Sequence, residues 1–467
     1  MNRTQISLLT AVLVAPLAFV ACSGGGEGGA GDSEDPVVGS SGTSSGSTGV
    51  FTEDGATKAT TPGGTSGGSG DAALLTLPNE GAAVAAQTVS AVQKTPITTG
   101  LSAVNGTSVD PENNVGLAFG YADSTVSFFN LSDAEEIAVH DTETTSTRTF
   151  SGGSATIPGA ILDPAQQFAV LATGDGIEVV DYSDPENPAK LREVPSKQVD
   201  DDGDGDPTND GVEINENIGY HPSLPVDGEE YPMVFTGGGY SGLNGEALTL
   251  VDASTGETYT PDGDTSFPDL GTAYIDAVAV DQSYNVALLA PEYDSPILVD
   301  LNRISLDSDN GTYNLPDDAI RQVADVDGDG QDDTHYTNVA IESTKHMVLL
   351  GEGYGGTRLI AAELSDPGEG LGFERAGGIT MPTDTDDEGD EVDWGGSYDP
   401  HGTAAYLTAA DHPEYGERVA LGLWRSDVSQ HIAVIDLNGV IEGVAESGSS
   451  YDPSAEEPKD MAYFTIP

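Results

Sequence analysis

A short apolar segment ending in an acid or an amide recurs six times between about residue 100 and the C-terminus. The copies end at Asn130-Leu131, Asp181-Tyr182, Asp252-Ala253, Asp300-Leu301, Glu363-Leu364 and Asp436-Leu437. A second apolar segment precedes each copy, at 115–120, 168–174, 233–238, 286–290, 347–351 and 404–409. A unit of this size cannot bury both faces of its own small sheet, so the copies must pack on one another. That requirement limits the chain to a closed or stacked array of similar modules.

Each unit begins with a further short strand and a turn, at 107–113, 160–166, 218–223, 279–284, 340–345 and 397–402. A more polar fourth strand follows, as at 189–195, 375–382 and 461–467. The apolar runs are bounded by Gly, Pro, Asn and Asp, and none shows a helical period. Four strands per unit predict an all-β chain folded as a β-propeller. Six units predict six blades. Residues 72–98 would add a strand to that ring or, in the alternative, help form a seventh blade. In the last unit, the long segment 409–430 is expected as a loop carrying Arg418, Trp424 and Arg425.

Residues 176–188, running from Gly176 through Asp181-Tyr182-Ser183-Asp184-Pro185 to Pro188, resemble the LVIVD repeat of bacterial surface propellers. Its Ser-Asp pair recurs at Ser132-Asp133 and Ser365-Asp366. The whole pattern, over about residues 100–467, is also similar to YVTN-type propellers. The resemblance implies the fold and no catalytic set, because these families share none.

The N-terminus reads as an export signal over residues 1–21. Arg3 gives a positive start, and the apolar stretch from Ile6 to Val20 is too short to span a bilayer. Val20-Ala21-Cys22 resembles a lipoprotein processing site, with Phe19 where that pattern prefers Leu, which implies lipidation of Cys22. Cys22 is the sole cysteine, so structural disulfides are excluded. Ser23 after it implies export to the outer membrane of a Gram-negative cell. Residues 22–71, rich in Gly, Ser and Thr, are expected to be a disordered tether with a reach of roughly 40 Å for about 48 residues. The propeller domain is expected over 72–467.

The net charge is −64, from 79 acidic residues against 15 basic ones. Nucleic acid and anionic lipid would both be repelled, which leaves the lipid as the expected link to the membrane. Acidity on this scale fits local cation binding and a surface suited to salt, where screening relieves self-repulsion.

Asp325, Asp327 and Asp329 alternate ahead of Gly330, and the carbonyl of Gln331 and the carboxylate of Asp333 would complete an oxygen cage for calcium. The segment resembles the calcium loops of FG-GAP-type propellers and dockerins. Tyr336 stands where an EF-hand carries its bidentate glutamate, so the expected affinity is weak, on the order of 10⁻⁴–10⁻³ M. Asp200, Asp202, Asp204 and Asp206 repeat the alternation. A looser copy from Asp384 to Asp390 reads as a charged surface loop. These segments lie between one unit's outer strand and the next unit's inner strand. The connections between the two central strands should emerge on the same face, and five of them carry a tyrosine: Tyr121, Tyr240, Tyr293, Tyr354 and Tyr415. Rings beside carboxylates suit an extracellular protein or glycan, although the same rings could simply pack on neighbouring loops.

No phosphate loop or paired-histidine metal motif is present in the sequence, and the pattern Gly-x-Ser-x-Gly occurs only within the Gly/Ser-rich segment, at 42–46 and 64–68, outside any strand-to-helix pattern that a nucleophile elbow needs. The leading expectation is a monomeric, non-enzymatic surface lipoprotein stiffened by calcium. The alternative is a calcium-dependent hydrolase, lactonase- or phosphatase-like, with a cation in the central channel held by inner-strand acids such as Asp276 or Glu342.

Overall fold

The computed structural model describes residues 49–53, 56–62, 71–76, 90–91, 93–102, 104, 106–120, 123–144, 148–150, 153–155, 157, 159–195, 218–237, 248–263, 265–268, 275–291, 294–324, 326, 336–343, 346–352, 358–380, 383–385, 391–393, 403–408, 418–425, 430–436 and 461–466. Among them, seven sheets hold four or more strands. Each contains a four-stranded antiparallel meander, and they are numbered here as blades 1 to 7 in chain order. Blade 1 runs Gly49–Glu53, Ala56–Pro62, Asp71–Thr76 and Gln93–Thr98. Blade 2 runs Gly106–Asp110, Val115–Phe119, Thr125–Asn130 and Glu136–Asp141. Blade 3 runs Gly159–Asp163, Phe168–Thr173, Gly176–Asp181 and Ala189–Pro195. Blade 4 runs Ile218–Val226, Glu229–Gly237, Leu248–Asp252 and Thr258–Pro261. Blade 5 runs Ile275–Asp281, Val286–Pro291, Ile297–Asp300 and Ile320–Gln322. Blade 6 runs Tyr336–Glu342, Met347–Glu352, Arg358–Leu364 and Phe373–Thr380. Blade 7 runs Thr403–Thr408, Arg418–Arg425, Gln430–Asp436 and Met461–Ile466.

The first strand of each blade lies against the first strand of the next, and that of blade 7 lies against that of blade 1. This closed succession of inner strands makes the fold a β-propeller. Helix is confined, among the described residues, to the 3-10 turns Leu301–Arg303 and Asp317–Ala319.

Period-two patterning explains why the sheets stack. On the inner strand of blade 5, Val278 and Val280 join the apolar cluster shared with blade 4. Their neighbours Ala277 and Ala279 join the cluster shared with blade 6. Equivalent clusters lie between blades 3 and 4, 2 and 3, and 1 and 2. Both faces of each central strand are therefore buried, which is why the third strands read as continuous apolar runs rather than alternating ones.

Three expectations need correction. Six repeats suggested six blades, with a seventh drawing on 72–98 as the alternative; seven such sheets form among the described residues, and 71–76 and 93–98 belong to the additional one. The additional sheet is built partly from residues assigned to the tether. Residues 49–53 and 56–62 pair with each other, and the second of these pairs with 71–76. Threonine is the commonest residue here, with Thr52, Thr57, Thr60 and Thr61 beside Val50. These β-branched residues favour strands, so grouping Thr with Gly and Ser misread the segment. Thr60 is buried and its hydroxyl meets that of Thr107 of blade 2 at 2.9 Å. In the last unit, Thr403–Thr408 is the inner strand rather than the second, and Arg418–Arg425 is the second strand rather than loop. Its apolar run from Val419 to Trp424 pairs on both sides, with 403–408 and with 430–436.

Two outer edges are covered by strands borrowed from elsewhere. Ser90–Ala91 runs parallel to the outer strand of blade 7 and so ties the first blade's chain to the last blade. The hairpin Ser305–Asp307 and Thr312–Asn314, inserted in blade 5, runs parallel to the outer strand of blade 4. Its Tyr313 is fully buried and donates to the Leu248 carbonyl at 2.8 Å. Covered edges cannot template unwanted pairing.

Candidate functional site

The recurring terminal acid of the third strand has a structural role. Asn130 accepts the backbone N–H of Ser132 at 2.8 Å, and Asp181 that of Ser183 at 2.8 Å. Asp252 accepts the backbone N–H and the hydroxyl of Ser254, both at 2.7 Å, and Asp300 accepts from Asn302 at 3.1 Å. Each carboxylate or amide folds onto the turn that leads to the outer strand, satisfying N–H groups that the sheet leaves free. In these four copies the residue that makes the repeat visible in the sequence is thus spent on backbone geometry.

A second set of acids sits at the turn from first to second strand. Asp110 Oδ1 accepts from Asn113 N at 3.0 Å. Asp163 Oδ1 accepts from Ala165 N at 2.8 Å and Gln166 N at 3.0 Å, and Asp281 Oδ1 from Ser283 N at 2.9 Å and Tyr284 N at 2.8 Å. The other oxygen of each faces the following blade. Tyr182 of blade 3 donates to Asp110 Oδ2 at 2.8 Å, Tyr220 of blade 4 to Asp163 Oδ2 at 2.6 Å, and His346 Nδ1 of blade 6 meets Asp281 Oδ2 at 2.9 Å. The last residue of these turns is held at positive φ in Gln167, Asn285 and His346. It too reaches the preceding blade: Gln167 donates to Asn113 Oδ1 at 2.9 Å, and Asn285 Oδ1 meets His221 Nε2 at 2.9 Å. One end of the ring is therefore a deck of polar bonds from blade to blade.

The electrostatics follow from burial. The Tyr182 and Tyr220 hydroxyls are held far above the usual tyrosine range, first by desolvation and then by the acceptor carboxylates Asp110 and Asp163. Desolvation lowers the pKa of His221, against opposing hydrogen bonds to Asn285 and Gln282. Its Nδ1 accepts the Ser223 N–H at 3.1 Å, so the proton resides on Nε2 and the ring is neutral. Burial raises the pKa of Asp281, while the turn N–H of Tyr284 and then His346 pull it back. The His346 ring stacks on Tyr284 with centroids 3.3 Å apart and planes 2° apart.

A third polar cluster crosses from blade 2 to blade 3. His140 Nε2 meets Glu178 Oε1 at 2.6 Å, and Lys190 Nζ lies 3.5 Å from Glu178 Oε2 and 3.0 Å from Glu193 Oε2. Glu178 is buried in the middle of a strand, and its two partners supply the charge and hydrogen bonds that such a site requires. These groups can cross-link blades. No group of three or more His, Cys, Asp or Glu side chains suited to a metal ion forms among the described residues.

The calcium residues Asp325, Asp327, Asp329, Gln331 and Asp333, and Asp200, Asp202, Asp204 and Asp206, lie outside the described residues. So do Cys22 and the tyrosines Tyr121, Tyr240, Tyr293, Tyr354 and Tyr415. Asp276 and Glu342 fall on the inner strands of blades 5 and 6. Asp384 and Asp393 fall on a short hairpin between blades 6 and 7. The polar deck was not anticipated as a set. Its signal was an acid followed four residues later by Asn, Gln or His, at Asp110 and Asn114, Asp163 and Gln167, Asp281 and Asn285, and Glu342 and His346.

No family model matches the chain, and no curated protein matches it. Among solved structures it is similar to the β-propeller domain of Cps50 (Swd1) from Myceliophteria thermophila. The identity is 14% and the TM-score 0.46, over 84% of this chain and 96% of that one.

Proposed function

We propose that this chain is a surface lipoprotein, anchored through Cys22, whose propeller binds an extracellular protein or glycan at one end of the ring with calcium holding the binding segments. The strand order is the observation that carries this reading. The segments with Asp200–Asp206 and Asp325–Asp333 each join an outer strand to the next inner strand, in blades 3 to 4 and 5 to 6. Those with Tyr121, Tyr240, Tyr293 and Tyr354 each join a second strand to a third, in blades 2, 4, 5 and 6. In an antiparallel meander both kinds of connection leave the sheet at the same end. Tyr415 drops out of the set, because its segment joins the first and second strands of blade 7.

The opposite end is the bonded deck, whose turns are committed to joining blades. Connections on a rigid scaffold are where binding residues concentrate, and here the acid-rich and tyrosine-bearing ones share the end without the deck. Calcium would relieve the repulsion of carboxylates gathered in one loop and stiffen it for a partner.

The test is thermal unfolding with and without calcium, for the wild type and for Asp327→Ala with Asp329→Ala. Calcium at tenfold excess over Kd should add about 1.4 kcal/mol to the wild type. The double variant should lose most of that response without loss of stability in chelator. Equal responses from both proteins would remove this loop from the account. Glycan and peptide arrays probed with and without calcium would then identify the partner class.

A further inference from the structure

The strand order fixes the end at which the chain enters the ring. Gly49–Glu53 is the first strand of blade 1, and it lies against the first strands of blades 2 and 7. It is therefore an inner strand and runs in the same sense as the others. Every inner strand starts at the end where the preceding outer strand finishes. In an antiparallel meander that is also the end where second strands pass to third strands. Gly49 thus begins at the end without the deck. Met461–Ile466, the outer strand of blade 7, finishes at that same end. Both ends of the folded chain leave the ring opposite the deck.

The strands found within 49–76 also shorten the link to Cys22. Residues 23–48 lie between Cys22 and the ring, whereas the sequence suggested a link running to 71. A Gly/Ser-rich chain of about 26 residues has a root-mean-square reach of roughly 28 Å. A domain of about 420 residues has a radius of gyration of about 22 Å. An inner strand of the length of Thr403–Thr408 makes the ring roughly 20 Å deep. Turning the deck toward the membrane would take the link past the rim, over roughly 40 Å, about one and a half times its reach. At the end where the link enters, the connections 196–217, 323–335 and 381–402 together carry 21 acidic residues and one lysine. Anionic headgroups repel such an end on contact, but the Debye length is about 8 Å at physiological ionic strength, so a bilayer roughly 28 Å away leaves it unaffected. A partner has to project from the bilayer to reach this end, and a basic surface complements it.

We propose that the end without the deck faces the membrane that holds Cys22, and that its partner is the basic extramembrane surface of a protein embedded in that same membrane. The anchor and the binding role of this end are carried over from the proposed function. The orientation comes from where the first strand begins and how short the link is, and the partner's charge from the three acidic connections. The deck, with its turns committed to joining blades, faces away from the membrane.

Dyes at two exposed positions read the orientation. Ser266 lies in the connection from blade 4 to blade 5, on the side proposed to face the membrane, and Ala165 lies in the deck turn of blade 3. Cys22 is the sole cysteine and lipidation consumes its thiol, so Ser266→Cys and Ala165→Cys each create one labelling site. Both labelled variants should match the wild type in melting temperature. Lipidated full-length protein is placed in phosphatidylcholine vesicles that carry an acceptor dye on the headgroup. A donor at position 266 should transfer more energy to the bilayer than a donor at position 165. Equal transfer, or more from position 165, by protein that floats with the vesicles overturns this inference and leaves the anchor standing. Protein that does not float refutes the anchor, and the orientation with it. In cell envelopes, a photo-crosslinker at position 266 should join the protein to an integral membrane protein, and one at position 165 should not. Adducts from position 266 to polysaccharide or to a soluble protein, or no adduct, overturn the partner.

Discussion

Removing the hydroxyl of Tyr220 tests whether the deck holds blades together. The hydroxyl donates to Asp163 Oδ2 at 2.6 Å, and both residues are buried, at 3% exposure each. Asp163 Oδ1 is already occupied by two backbone N–H groups, so Tyr220→Phe leaves Oδ2 without that donor in a dry site. A hydrogen bond to a charged group contributes about 1.5–3 kcal/mol, so the expected loss is about 2 kcal/mol. The ring itself stays in its edge contact with Phe168, 6.0 Å between centroids, so packing is unchanged. Unfolding entropy of about 2.1 cal/mol/K per residue makes that loss only roughly 2–3 °C in Tm for a domain of about 400 residues. Urea denaturation with linear extrapolation is therefore the better assay. Asp163→Asn supplies the control, because its carbonyl can keep the turn while its amide faces Tyr220 as a neutral group. In that background Tyr220→Phe should cost about 1 kcal/mol or less, giving a coupling near 1 kcal/mol. A loss below about 0.5 kcal/mol, or equal losses in both backgrounds, would refute the reasoning.

The same deck predicts two pH responses and the packing predicts a steric one. His221 has its pKa lowered by burial, so the unfolded chain binds the proton first; stability is full above about pH 6.5 and falls as pH drops below it. Replacing His221 with Gln should flatten that part of the stability profile between pH 7.5 and 5.5, measured by denaturation at each pH. Tyr182 and Tyr220 have raised pKa values, so the folded state retains protons that the unfolded state releases above about pH 10. Stability should fall as pH rises past that point, and absorbance at about 295 nm should show these phenols ionising only together with unfolding. A Cβ on Gly116 would lie 2.2 Å from the Phe129 ring across the strand pair. Gly116→Ala should cost about 1–3 kcal/mol by overpacking, and Phe129→Leu in the same chain should recover part of it.

The central strands were legible because each is buried on both faces and capped by a side chain that suits a turn. The expected strand 189–195 coincides with Ala189–Pro195, and 286–290 falls within Val286–Pro291. The first two strands of blade 1 were hidden because they carry threonine where the others carry valine and leucine, and because its sheet lacks the terminal acid that marked the repeat. The last blade was misread because Arg418 and Arg425 frame an apolar strand, and charge at both ends resembles a loop. The deck was only half legible: the turn acid and the residue four places on recur in the sequence, but a hydrogen bond such as that between Tyr182 and Asp110 joins residues 72 positions apart, so the pairing across blades was not. Asp163, Asp252 and Asp281 are committed to turns and, for Asp163 and Asp281, to the neighbouring blade.

Anomalous diffraction from a crystal soaked in calcium addresses the central functional claim most directly. The account predicts a cation bound within residues 325–333, coordinated by Asp325, Asp327 and Asp329, on the end of the ring away from the bonded deck. A cation on the ring axis, held by inner-strand acids such as Asp276 or Glu342 with the 325–333 segment empty, would contradict it and turn the reading toward a metal-dependent hydrolase.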